Sequence, residues 1–117
     1  MAARPDKRRT PRIQPFVASC RVVEGSRRLP GYLTDLSIAG ARVTSEREPP
    51  APGTRVVLEV RFRRQIAHSR VSAEIKWARA GSDGFACGLT FSGASEAERR
   101  VLEGVVEEFR RRAAELA

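Results

Sequence analysis

The run RVSAEIKWARAGSDGFACGLTF, residues 70 to 91, decides the fold class. From Arg70 to Arg79 the chain alternates. Val71, Ala73, Ile75 and Trp77 share one face, and Ser72, Glu74 and Lys76 share the other, which is the period of a half-buried strand. Gly81-Ser82-Asp83-Gly84 then reads as a tight reversal. Phe85 to Phe91 alternates again, with Cys87, Leu89 and Phe91 on the apolar side. Two alternating runs joined by a glycine-flanked turn specify an antiparallel hairpin, so this part of the chain is all-β.

Toward the C-terminus the period changes at Ser95. Ser95-Glu96-Ala97-Glu98 has the Ser-x-x-Glu form of a capping box, which satisfies the free amides at a helix start. Val101, Leu102, Val105, Val106 and Phe109 follow at helical spacing. Gly104 interrupts this helix at a cost of about 1 kcal/mol relative to alanine, which close packing on a sheet would offset. Arg110, Arg111 and Arg112 fall in its last third, where cations complement the helix dipole.

Toward the N-terminus, Val56, Leu58, Val60 and Phe62 mark an inward face between Thr54 and Phe62. Residues 63 to 69 are open to a turn or a continuing strand. Glu46 to Gly53, with three prolines, is a loop. Ala41 to Thr44 opens a strand, Leu29 to Ser37 forms another, and Gly25 to Arg28 is a turn. Ile13 to Glu24 is the first strand, with Phe16, Ala18, Cys20 and Val22 on one side and Pro15 confined to its entry. Five or six short strands at regular spacing, closed by one helix, predict an all-β core that is a small antiparallel barrel or sandwich. The absence of strand–helix alternation excludes a doubly wound nucleotide fold.

The chain has 117 residues, 41% of them hydrophobic, and a formal net charge of +8. These values suit one domain with its own core and an anionic partner. No apolar run approaches the ~20 residues of a membrane helix, so no membrane insertion is expected. The polar, basic start is unlike a secretory signal, and a cytoplasmic location is expected. Cys20 and Cys87 lack metal-ligand spacing and read as buried small hydrophobes. His68 is the sole histidine and stands alone. No metal, no cofactor and no nucleophile–base–orienter set is indicated, so the chain is not read as an enzyme.

Two polar features remain. In Asp35-Leu36-Ser37-Ile38-Ala39-Gly40, an extended chain would aim Asp35 and Ser37 at one spot and send Leu36 and Ile38 to the core. Gly40 would let the chain turn or something approach its backbone. Upstream, residues 1 to 12 hold five basic residues and one acid, half of the total charge excess in about a tenth of the chain. With Pro5 and Pro11 and no hydrophobic period, they read as a flexible basic arm.

The pair Arg8-x-x-x-Arg12 followed by Asp35-x-Ser37-x-x-Gly40 resembles the PilZ family, bacterial receptors for cyclic di-GMP. Trp77 in the fifth strand and Gly88-Leu89-Thr90-Phe91 in the sixth are similar to further family signals. Arg4 also lies four before Arg8, but Arg12 abuts the first strand and is the better match. The resemblance implies a six-stranded antiparallel β-barrel over residues 13 to 94, preceded by the 1–12 arm, with a helix over residues 95 to 117 packed on the barrel. It also implies a cyclic di-GMP site made by Arg8, Arg9, Arg12, Asp35, Ser37 and Gly40, and signalling through a protein partner that the sequence does not name. The chemistry fits. An arginine fork matches guanine O6 and N7, and guanidinium planes also stack on bases and pair with phosphates. A carboxylate accepts from guanine N1 and N2, and a serine hydroxyl can donate. Trp77 itself reads as core first, though an aromatic at the barrel rim could also flank a base. Two other readings stay open: a basic barrel binding RNA or DNA, for which few outward aromatics are available, and a PilZ-like interaction domain that binds no nucleotide.

Overall fold

The computed structural model describes residues 16–62 and 69–116. Six strands form a closed antiparallel barrel in the order β1-β2-β3-β6-β5-β4. They are β1 (Ala18–Glu24), β2 (Arg27–Leu36), β3 (Gly40–Ser45), β4 (Arg55–Arg61), β5 (Ser69–Gly81) and β6 (Gly84–Thr90), followed by helix α1 (Glu96–Leu116). The alternation seen in the sequence fills the interior. Val22, Leu29, Leu33, Val43, Leu58, Val71, Ile75 and Cys87 are almost wholly buried there. At roughly 1.5–3 kcal/mol per fully buried aliphatic side chain, this inward face is the main favourable term in folding. Gly25, at φ 59°, makes the β1–β2 turn, in a region that most other residues avoid.

β1 starts at Ala18, later than the expected Ile13. Phe16 lies outside the strand and meets Phe109 of α1 edge-on, with ring centroids 5.1 Å apart. The arm of residues 1–12 and His68 lie outside the described residues. Both cysteines are buried and free. Burial, and then the neighbouring Cys87, pushes the Cys20 thiol up to about 12, and burial raises Cys87 to about 11. Neither is a reactive thiolate at neutral pH.

Helix α1 packs against β5. Leu102, Val105, Val106 and Phe109 are its buried stripe. Val101, expected in that stripe, is 43% exposed, because the contact line runs through 102, 105, 106 and 109 and leaves 101 to one side. The capping box forms: the Glu98 amide donates to Ser95 Oγ at 3.1 Å, and the Ser95 amide donates to Glu98 Oε1 at 2.9 Å. The other Glu98 oxygen accepts from the Ser72 amide at 2.9 Å and from its hydroxyl at 2.7 Å, which ties the helix start to β5. Hydrogen bonding from the Ser95 backbone first, and then from the Ser72 hydroxyl, holds the Glu98 carboxyl below its ordinary range. One expectation fails here: a side chain at Gly104 would meet nothing within 4 Å, so no close packing offsets its low propensity. Arg110, Arg111 and Arg112 do fall in the last third of the helix, but its last turn holds no basic residue, and Arg111 and Arg112 bond Glu108.

Candidate functional site

Two β-bulges shape the outer surface. In β2, Leu33 stands opposite Val43 and Asp35 opposite Arg42, so Thr34 is an extra residue. The Thr34 hydroxyl donates to the Arg42 carbonyl at 3.2 Å. In β5, Ile75 stands opposite Leu89 and Trp77 opposite Gly88, so Lys76 is extra. A bulge shifts the alternation by one residue and re-aims whatever follows it. Asp35 and Trp77 each follow a bulge, and both therefore face outward.

This overturns the expectation that Trp77 is core. It is half-buried on the outer surface. The cause is the bulge at Lys76, which gives the inward position to Ala78 instead. The indole lies against Gly88, where a Cβ would collide with its ring. The guanidinium of Arg79 sits 4.7 Å from the indole centroid and that of Arg42 5.5 Å, both within cation–π range.

The pairing registers place Asp35, Arg42, Gly88 and Trp77 opposite one another in turn, from β2 through β3 and β6 to β5. The row has an exposed carboxylate at one end, a guanidinium in the middle and an aromatic plane at the other. Asp35 makes no ion pair with any described residue. Such a surface offers an acceptor, donors and a stacking face at fixed positions on rigid strands, the set required by a planar, hydrogen-bonding, anionic ligand.

Ser37 and Gly40 do not extend this row. The chain leaves β2 after Leu36, so strand alternation no longer governs Ser37. Its hydroxyl accepts from the amides of Ala39 at 3.2 Å and Gly40 at 3.3 Å, and its own amide donates to the Gly40 carbonyl at 2.9 Å. Ser37 thus organises a compact turn. Ile38, expected in the core, projects from that turn and is 58% exposed, for the same reason. Gly40 lies close to β6, and a Cβ there would strike the Leu89 carbonyl. The 37–40 turn is fixed at one end of the Asp35 row, with the Phe91 amide donating to the Ala39 carbonyl at 3.1 Å. Arg8, Arg9 and Arg12, and the alternative Arg4, lie outside the described residues.

The reading of residues missed Arg42, Arg79 and Gly88 as parts of one surface. A signal for them exists in the apolar spacing. Leu33 to Leu36 and Ile75 to Ala78 are each three apart where a regular strand requires two or four, which marks a bulge in each.

Fold and surface together define a class: small closed antiparallel β-barrels with a C-terminal helix and a polar, aromatic row on the outer face. A family model described as PilZ domain matches residues 6–108. The chain belongs to the PilZ domain family. It is similar in structure to the PilZ domain of YcgR from Escherichia coli with c-di-GMP, with a TM-score of 0.62 and 21% identity over 90% of this chain and 96% of that one. It is also similar to the Bacillus subtilis inhibitor of motility, MotI/DgrA, with a TM-score of 0.54 and 17% identity over 92% of this chain and 56% of that one. No curated protein matches the chain in sequence.

Proposed function

We propose that this chain is a receptor for cyclic di-GMP, with the nucleotide held on the outer barrel surface between the Asp35–Trp77 row and the N-terminal arginines. The observation that carries this reading is the row itself: two bulges turn a carboxylate and an indole outward, in a chain that also bears Arg8-x-x-x-Arg12. Asp35 accepts from guanine N1 and N2. Arg8, Arg9 and Arg12 supply forks for guanine O6 and N7 and for the phosphates, as duplex readout and phosphate pairing do elsewhere. Trp77 offers a base its face once a stacked guanidinium moves aside. Ser37 and Gly40 line the same end of the platform and shape the backbone there. The PilZ membership and the YcgR domain described with c-di-GMP support the ligand class. The closing of the arginine segment over the ligand creates a new surface, through which the receptor engages a protein partner.

Calorimetry on the full chain tests this reading. Cyclic di-GMP is expected to bind and to raise the melting temperature, since a ligand that binds only the folded state stabilises it. Cyclic di-AMP is expected to bind at least tenfold more weakly, because adenine offers neither the N1–H and N2–H donors nor the O6 acceptor. Equal affinity for the two, or no heat and no thermal shift at millimolar cyclic di-GMP, would refute it.

A further inference from the structure

A cavity of about 840 Å³ lies on the outer surface beside the platform, between strands β1, β2 and β4 on one side and the β5–β6 hairpin and the end of β3 on the other. That volume falls in the range of small-molecule pockets. The registers carry a second outward row into it: Arg61 opposite Ser19, then Tyr32, Thr44, Ala86 and Arg79. The wall furthest from Trp77 is built by Arg21, Tyr32, Glu59 and Arg61.

The charges of that wall are unusual. Glu59 is the one buried charged residue among those described, with its side chain 7% exposed. Arg21 and Arg70 stand opposite it on the two flanking strands, and both ion-pair with it, so the triad carries one cation in excess. Arg70 bonds Glu59 Oε2. Oε1 lies 3.2 Å from Arg21 Nε, yet no described donor makes a hydrogen bond to it, so the angle of that contact is poor. Arg21 is therefore held beside the cavity by charge while its two terminal nitrogens bond no described acceptor. Arg61 is exposed and makes no ion pair with a described residue. Tyr32, 56% exposed, presents an aromatic ring one strand from Arg21 and two from Arg61.

We infer that this wall is a second binding site, taking a small planar aromatic anion of the carboxylate or sulfonate class. Its ring lies on Tyr32, and its anionic group is held by Arg61 and Arg21. A fixed, partly desolvated guanidinium beside a free one is an effective anion clamp, because a low local dielectric strengthens each charge-assisted bond and little rotamer entropy is lost on binding. The excess cation of the triad is what the anion neutralises.

The probe is 1-anilinonaphthalene-8-sulfonate, titrated into the full chain with fluorescence for affinity and amide NMR shifts for location. Saturable binding at one equivalent is expected, with the largest shifts at Ser19, Tyr32 and Arg61. Tyr32→Ala and Arg61→Ala each lower affinity at least tenfold, whereas Trp77→Ala leaves it within twofold. Both cavity substitutions are at exposed positions, and unchanged far-ultraviolet circular dichroism with an unchanged melting temperature confirms that they fold. They leave cyclic di-GMP affinity within twofold, since neither residue belongs to the platform. Non-saturable binding, affinity indifferent to Tyr32 and Arg61, or affinity lost with Trp77→Ala overturns the inference.

Discussion

Asp35 and Gly40 belong to one sequence motif but differ physically. Asp35 is exposed and bonds no described residue, so Asp35→Ala is expected to change stability by no more than about 0.5 kcal/mol, as ordinary surface substitutions do. Its effect falls on the ligand, with cyclic di-GMP affinity reduced at least tenfold. Gly40→Ala drives a methyl group into the Leu89 carbonyl and forces two strands apart. Overpacking of that kind costs about 1–3 kcal/mol. Urea denaturation of the two variants distinguishes them; a Gly40→Ala protein as stable as the parent would show that the glycine serves only the ligand. The residue types and spacing of the motif were legible in the sequence; the arginines of Arg8-x-x-x-Arg12 lie outside the described residues. The outward aim of Asp35 and the burial of Leu36 were legible too, but the orientations of Ser37, Ile38 and Trp77 were not. Extended alternation does not hold through Lys76, where β5 is bulged, or through Ser37, where β2 has ended. The one extra residue at Lys76 turns Trp77 to the outer side of the sheet.

At the scale of the element, helix α1 was read well at its start and less well beyond it. The capping box is a local device, complete within four residues, and needs no knowledge of the barrel. The packing environment of Gly104 depends on how the helix is rotated against β5, which the sequence pattern fixes only loosely. With open space at Gly104, the substitution Gly104→Ala is expected to add about 1 kcal/mol by propensity and unfolded-state entropy. A melting point raised by a few degrees is the check. The second bond pattern of Glu98, to Ser72, also escaped the sequence, being 26 residues distant. It gives a pH dependence with a definite sign. The folded-state carboxyl is held below its ordinary value, so its contribution is fully present above the unfolded value near 4.5 and is lost as the pH falls through the lower folded value. Glu98→Gln is expected to flatten the acid side of the melting-temperature profile below about pH 4.5 and to leave its shape above pH 6 unchanged. A profile parallel to the parent's throughout would count against this role.

For the whole molecule, the division of charge distinguishes the proposed receptor from a nucleic-acid binder. Residues 1 to 12 carry half the net charge of +8 but none of the alternating apolar positions that fill the barrel. A chain lacking them is expected to melt at the same temperature as the full chain without ligand and to show no thermal shift with cyclic di-GMP. A retained shift would place the arginines outside the site. Salt gives an independent test. Cyclic di-GMP has two phosphates, so its affinity is expected to fall gently, whereas a strand of RNA or DNA would lose roughly 0.7–0.9 log units per phosphate contact for each tenfold rise in salt. A steep slope with single strands and no preference for the cyclic dinucleotide would favour the nucleic-acid alternative. The overall architecture was the most legible level, because periodicity integrates over many residues and tolerates local errors. Antiparallel sense, the terminal helix and a count of five or six strands followed from it, and the family resemblance made the count six. Closure of β1 onto β4 did not, since that pairing joins segments about 40 residues apart with no connecting turn to mark it.

That closure has a consequence for association. An open sheet ends in rows of unpaired amides and carbonyls, onto which a partner's strand or a second copy can graft itself. Here every described strand has a neighbour on each side, so none offers a free edge along its whole length; Arg27–Gly31 of β2 and Trp77–Gly81 of β5 are paired on one side alone. Crowding copies of the folded domain together gives them only short seams of about five residues to pair along, and a concentrated solution is expected to remain free of β-fibrils for as long as the barrel stays shut.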